Sequence, residues 1–108
     1  MKPGKTPSKS GIDDVRNAQR LVGAKRTQLA GLGIRNLWLF GSRARGESVG
    51  TSDWDFLVEF NRSPSFDVFM GAKLLLEESL GGPVDLLSRR ACKPRFLAAI
   101  QDQLRNVA

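Results

Sequence analysis

The chain has no histidine, no tyrosine and a single cysteine in 108 residues. Without histidine there is no zinc-hydrolase site of the usual kind, no Ser–His triad and no Cys–His dyad. Cys92 alone cannot close an internal disulfide or build a cysteine cage for a metal. No apolar run approaches the ~20 residues of a membrane helix. The basic start, MKPGKTPSKSG, is not followed by the apolar segment of a secretory signal. The length suits one domain with one core and leaves no room for a second, substrate-binding domain. Any chemistry must therefore run on carboxylates, hydroxyls and cations, in a setting expected to be the reducing cytoplasm, with no membrane partner.

Seventeen Lys and Arg against eleven Asp and Glu leave a formal charge of +6. That favours a polyanionic partner without choosing among nucleotide, nucleic acid and acidic protein. The cations gather in a start rich in Pro, Gly and Ser, at Arg43 and Arg45, and in the run Arg89, Arg90, Lys93, Arg95. Residues 1–11 read as a basic disordered arm and 12–108 as the domain.

Helical spacing of Val15, Ala18, Leu21, Val22 and Leu29 predicts a helix over residues 12–31, with Asp13 and Asp14 complementing its N-terminal dipole. Short apolar runs predict strands over 36–40, 53–60 and 83–87. Residues 41–46 read as a turn with one helical turn. A second helix spans 65–80, with Phe66, Phe69, Met70, Leu74 and Leu75 as its apolar positions, and Pro94 opens a last one bearing Phe96, Leu97, Ile100 and Leu104. The expectation is an α/β (α+β) fold: a small mixed sheet of about three strands with helices packed on it.

Two carboxylates inside an apolar strand are the unusual feature. Alternation puts Asp53 and Asp55 on one face, about 6–7 Å apart at Cα, and sends Trp54 the other way into the core. Such a pair is unstable unless a cation joins it, and Mg²⁺ is bound through one or two carboxylates plus substrate phosphates. The bare D-x-D pattern is more often two solvated aspartates at a strand end. Asp85, between Val84 and Leu86, adds a third carboxylate where burial would disfavour an unpaired charge. If its strand neighbours the second strand, the three carboxylates suit two-metal phosphoryl transfer, with Asp85 as ligand and candidate base. Gly41 and Ser42 close the preceding strand. Glycine lets backbone approach a phosphate, Ser42 offers a hydroxyl, and Arg43 or Arg45 could offset phosphate charge. An antiparallel pairing of the first two strands would bring this turn and the carboxylates to one sheet end.

Gly41-Ser42, ten residues, then Asp53-Trp54-Asp55, with Asp85 downstream, resembles the signature of the polymerase-β-like nucleotidyltransferase superfamily. The segments LFGSRARGESVGTSDWDFLVEF and LLEESLGGPVDLLSRRACKPRFLAAI are similar to the minimal nucleotidyltransferases (MNT), many of which pair with HEPN-domain toxins. The resemblance implies a polymerase-β-like fold, Mg²⁺ in a two-metal site and ATP as substrate. It implies Gly41 and Ser42 as a phosphate-binding turn, and Asp53, Asp55 and Asp85 as catalytic, metal-binding carboxylates. Arg43, Arg45 and Ser52 fall within the motif as nucleotide contacts. It further implies an antitoxin that transfers AMP to a tyrosine of a HEPN RNase; with no tyrosine of its own, the chain requires that acceptor in trans. The alternatives are an antitoxin acting by occlusion without catalysis and, less favoured, a nucleic-acid binder. Homo- and hetero-oligomers are both compatible with the sequence.

Overall fold

A computed structural model describes residues 10–108, with side chains from Asp14 onward. The expected arm thus lies outside the described residues, except that Ser10 and Gly11 already belong to the first helix.

Four strands form one mixed sheet in the order β3-β2-β1-β4, from β1 (Ile34–Phe40), β2 (Trp54–Phe60), β3 (Val84–Ser88) and β4 (Arg105–Asn106). β1 runs antiparallel to β2 and β4, and β2 runs parallel to β3. The parallel pair needs a crossover, supplied by α4 (Phe66–Leu80). Ser65 caps that helix by accepting a hydrogen bond from the Val68 amide (3.1 Å). Its end is marked by Gly81, left-handed at φ 73°.

Alternation along the strands makes two cores. On one face Leu37, Leu39, Trp54, Phe56, Val58, Val84 and Leu86 meet Ala18 and Val22 of α1 (Ser10–Gly23), Leu29 of α2 (Arg26–Gly31), and Ala72 and Leu76 of α4. On the other, Phe40 and Leu57 meet Ile100 of α5 (Pro94–Ile100), with Trp38, Leu87, Phe96 and Leu97 packed around them. Phe56, Leu57, Leu37 and Leu39 are fully buried, each contributing roughly 1.5–3 kcal/mol.

Four expectations change. The first helix breaks after Gly23, a poor helix interior residue, so that Val22 and Leu29 can both reach the core. The last helix stops at Ile100; Leu104 lies beyond it and leads into β4, the fourth strand. That strand holds the outer edge of β1, with the Val107 amide on the Leu37 carbonyl at 2.9 Å. Finally, Phe66 and Leu74 lie on the outer side of α4 and are exposed, because small Ala72 and Leu76 set the face that meets the sheet.

Candidate active site

β1 ends and β2 begins at the same edge of the sheet, with Phe40 paired to Asp55, so the Gly41 turn lands beside the carboxylates. Gly41 has φ 81° and ψ −161°, a backbone region open essentially to glycine alone. It is also packed against Asp55: a methyl group at Gly41 would collide with the Asp55 Oδ2 atom. From this turn springs α3 (Ser42–Arg45), one helical turn whose Ala44 and Arg45 amides donate to the Gly41 carbonyl at 3.0 and 3.1 Å. The first N–H groups of such a turn have no partner within it, and the half-buried Ser42 stands beside them.

Asp55 and Asp85 are direct neighbours across the parallel β2–β3 pair. Both stand on the face where Leu57 and Leu87 lie, two residues further along, but there Asp55 is half-buried and Asp85 exposed. Asp85 is therefore not the buried charge that its apolar flanks suggested: Val84 and Leu86 turn inward and leave it outward. Asp53 precedes β2 by one residue, is exposed, and shares the parity of Asp55. Burial, then the charge of Asp85, then that of Asp53, push the Asp55 carboxyl above its ordinary range; Arg45 works in the opposite direction.

The donor set fits a hard divalent cation. It offers oxygen ligands without nitrogen or sulfur, and its mutual repulsion is relieved by a positive ion. Among the described residues the three carboxylates do not converge into a finished three-ligand cage, although Asp55 feels the charge of both others. An ion of the Mg²⁺ type needs no such cage, since it takes one or two carboxylates and fills its shell from phosphate and water.

Two residues of the motif have structural partners. The Arg43 guanidinium donates to the Ser52 carbonyl through Nε and Nη2 (3.1 and 2.7 Å), pairs with Asp14 (3.2 Å), and lies 4.2 Å from the Trp54 ring centre. Ser52 accepts from the Val49 amide on its hydroxyl (2.9 Å). Arg43 and Ser52, expected as nucleotide contacts, brace the loop between α3 and β2 against α1 and the core. Asp14 completes that brace by accepting the Ser48 hydroxyl at 2.6 Å. Arg45 remains at the site, shared between Glu47 (3.0 Å) and Gln103 (3.1 Å).

Gln103 is the residue that sequence reasoning missed. Its side-chain oxygen accepts the Gly41 amide at 2.6 Å as well as Arg45. It holds the phosphate-turn candidate from 62 positions away, and no local pattern signals such a contact.

Residues 28–107 match the family described as polymerase beta, nucleotidyltransferase. A candidate protein adenylyltransferase of Methanocaldococcus jannaschii is 38% identical over 74 residues, which span 66% of this chain and 74% of that protein. The solved structure of a candidate minimal nucleotidyltransferase superimposes with a TM-score of 0.66 at 32% identity, over 81% of this chain and 93% of the other. A tri-AMPylated Shewanella oneidensis HEPN toxin in complex with MNT antitoxin shares the fold, at a TM-score of 0.59 and 19% identity, over 83% of this chain and 71% of that one. The match covers the glycine turn and all three carboxylates, and the geometry joins them at one sheet edge: this chain belongs to the polymerase-β nucleotidyltransferase family, is of the minimal-nucleotidyltransferase kind, and is a nucleotidyltransferase.

Proposed function

We propose that the protein is a Mg²⁺-dependent adenylyltransferase that moves AMP from ATP to a tyrosine hydroxyl of a partner HEPN RNase toxin, and so acts as its antitoxin. The observation that carries this reading is the direct register of Asp55 with Asp85 beside Gly41, a glycine that leaves room for the Asp55 carboxylate. The absence of tyrosine from the chain agrees with an acceptor in trans. The Methanocaldococcus relative is named for adenylyl transfer to protein, and the Shewanella complex pairs an MNT antitoxin with an AMPylated HEPN toxin.

In this reading Asp53, Asp55 and Asp85 would hold the metal, which would supply positive charge for the triphosphate and make the acceptor hydroxyl more acidic. The Ser42 hydroxyl and the Ser42 and Arg43 amides at the start of α3 orient the phosphates, while the Gly41 amide is held by Gln103, and Arg45 adds a cation. The acceptor oxygen attacks the α-phosphorus; a new O–P bond forms as the bond to the bridging oxygen breaks, and pyrophosphate leaves with that electron pair. Asp85, exposed at the rim, receives the hydroxyl proton.

Incubation with ATP labelled at the α-phosphate, Mg²⁺ and a purified HEPN toxin encoded beside the gene should label a toxin tyrosine and quench its RNase. Asp53→Ala should abolish both. Equal labelling by that variant would overturn the catalytic assignment, whereas full neutralisation without label by Asp53→Ala/Asp55→Ala would establish occlusion instead.

A further inference from the structure

At the other end of the sheet, about 20 Å along β2 from the carboxylates at strand rise, lies a cleft of about 340 Å³ between the β2–α4 loop and the turn after β3. Arg35, Arg62, Arg89 and Arg90 all line it, with Glu59 as the single carboxylate among the described residues. Glu59 accepts the Asn36 side-chain amide at 2.7 Å. Among the described residues none of these four arginines has a carboxylate within ion-pair reach; the ion pairs there involve Arg43, Arg45 and Lys73. Two of the guanidiniums are held in place. Arg89 lies over the Trp38 ring at 5.3 Å, and Arg90 donates to the Ser63 hydroxyl across the mouth of the cleft.

We propose that this cleft is a second phosphate-binding site, separate from the catalytic one. Four arginines lining one concavity concentrate positive charge there, and an anion with several oxygens relieves that repulsion. Guanidinium forks match phosphate oxygens in pairs, and two of the four already have their side-chain freedom reduced before a ligand arrives. The volume lies at the small end of the range of ligand sites and admits a phosphate group with its attached sugar. Such phosphates come either from a free small anion or from the backbone of an RNA strand. Exposed Lys93 and Arg95 continue the basic surface beyond the rim.

The test uses the full chain in EDTA, with two probes: inorganic pyrophosphate by calorimetry and a short fluorescein-labelled single-stranded RNA by anisotropy over a range of salt. Arg62→Ser/Arg90→Ser should weaken the bound probe about tenfold or more, while Arg16→Ser/Arg26→Ser, which removes the same charge from exposed positions on α1 and α2, should leave it within about twofold. All four positions are exposed, and an unchanged melting temperature confirms folding. A steep salt dependence that falls by roughly 1.4 in slope in the cleft variant identifies an RNA strand; pyrophosphate binding with no gain for RNA identifies a small anion. Equal losses in the two variants, or no binding of either probe to the wild type, would overturn the proposal.

Discussion

Gly41→Ala strikes the backbone of the turn and the carboxylate behind it at once. At φ 81° and ψ −161° a non-glycine residue costs about 1–3 kcal/mol. The new methyl would collide with Asp55 Oδ2 and lie 3.0 Å from Cγ and 3.2 Å from Cβ. Asp55 is fixed by its pairing with Phe40 and Asp85, so its side chain must leave its rotamer, at about 0.5–1.5 kcal/mol. The sum, roughly 1.5–4.5 kcal/mol, is a large part of the ~5–15 kcal/mol that holds a domain folded. It corresponds to a fall in Tm of about 7–20 °C. In transfer assays run below the variant's melting point, moving a carboxylate by about an ångström should cost on the order of a hundredfold. Circular dichroism melts and labelled-ATP transfer measure both losses. Gly50→Ala, where an added methyl meets nothing within 4 Å, is the control and should be near neutral. Adding Asp55→Ala to Gly41→Ala should recover part of the stability, with a coupling of about 0.5 kcal/mol or more. A Gly41→Ala protein that melts and transfers like the wild type would show that the turn tolerates a side chain beside Asp55.

Arg43→Ala should destabilise by about 1.5–3 kcal/mol, because it leaves Asp14 with the Ser48 hydroxyl alone, frees the Ser52 carbonyl and removes the cation from Trp54. Arg43→Lys should not restore the loss, since one ammonium cannot reach the Ser52 carbonyl and Asp14 in the same fork; urea melts decide, and full stability with Lys would oppose the brace. Asp55→Asn should raise Tm in EDTA at neutral pH while abolishing transfer. The Asp55 pKa is raised, so its contribution to stability is present below the unfolded value of about 3.8 and lost as pH rises through the raised native value. The advantage of Asn over Asp should therefore shrink toward acid pH, and an Asn variant that melts lower at neutral pH would contradict this. Glu77 accepts from Lys73 (2.9 Å) and from the Val84 amide (3.0 Å), the former first in depressing its pKa. Its contribution is present above the ordinary Glu value of 4.5 and lost as pH falls through the lowered native one. Glu77→Ala should lower Tm at neutral pH and match the wild type in strong acid.

Much of the placement of the candidate site residues was legible in the chain. Glycine, serine and aspartate types are dictated by local chemistry, and period-two alternation placed Asp53 with Asp55 and Trp54 opposite. The exposure of Asp85 was not, because flanking Val84 and Leu86 look alike in a strand buried on one face or both. The contacts that Arg43 and Ser52 make within the fold were also hidden: a guanidinium beside a glycine turn can reach a loop carbonyl only where the path of the loop brings one to it.

What the residues by themselves determined is therefore the inventory and the local elements: oxygen-only chemistry, a glycine turn after one strand, paired carboxylates at the start of another. The tertiary structure alone decided which groups meet. The β2–β3 register set Asp85 against Asp55, a fourth strand of two residues guarded the edge of β1, and Gln103 reached the Gly41 amide. These contacts join residues far apart in the chain, and their free energy comes from sheet register and two-sided packing, which no short window of sequence contains.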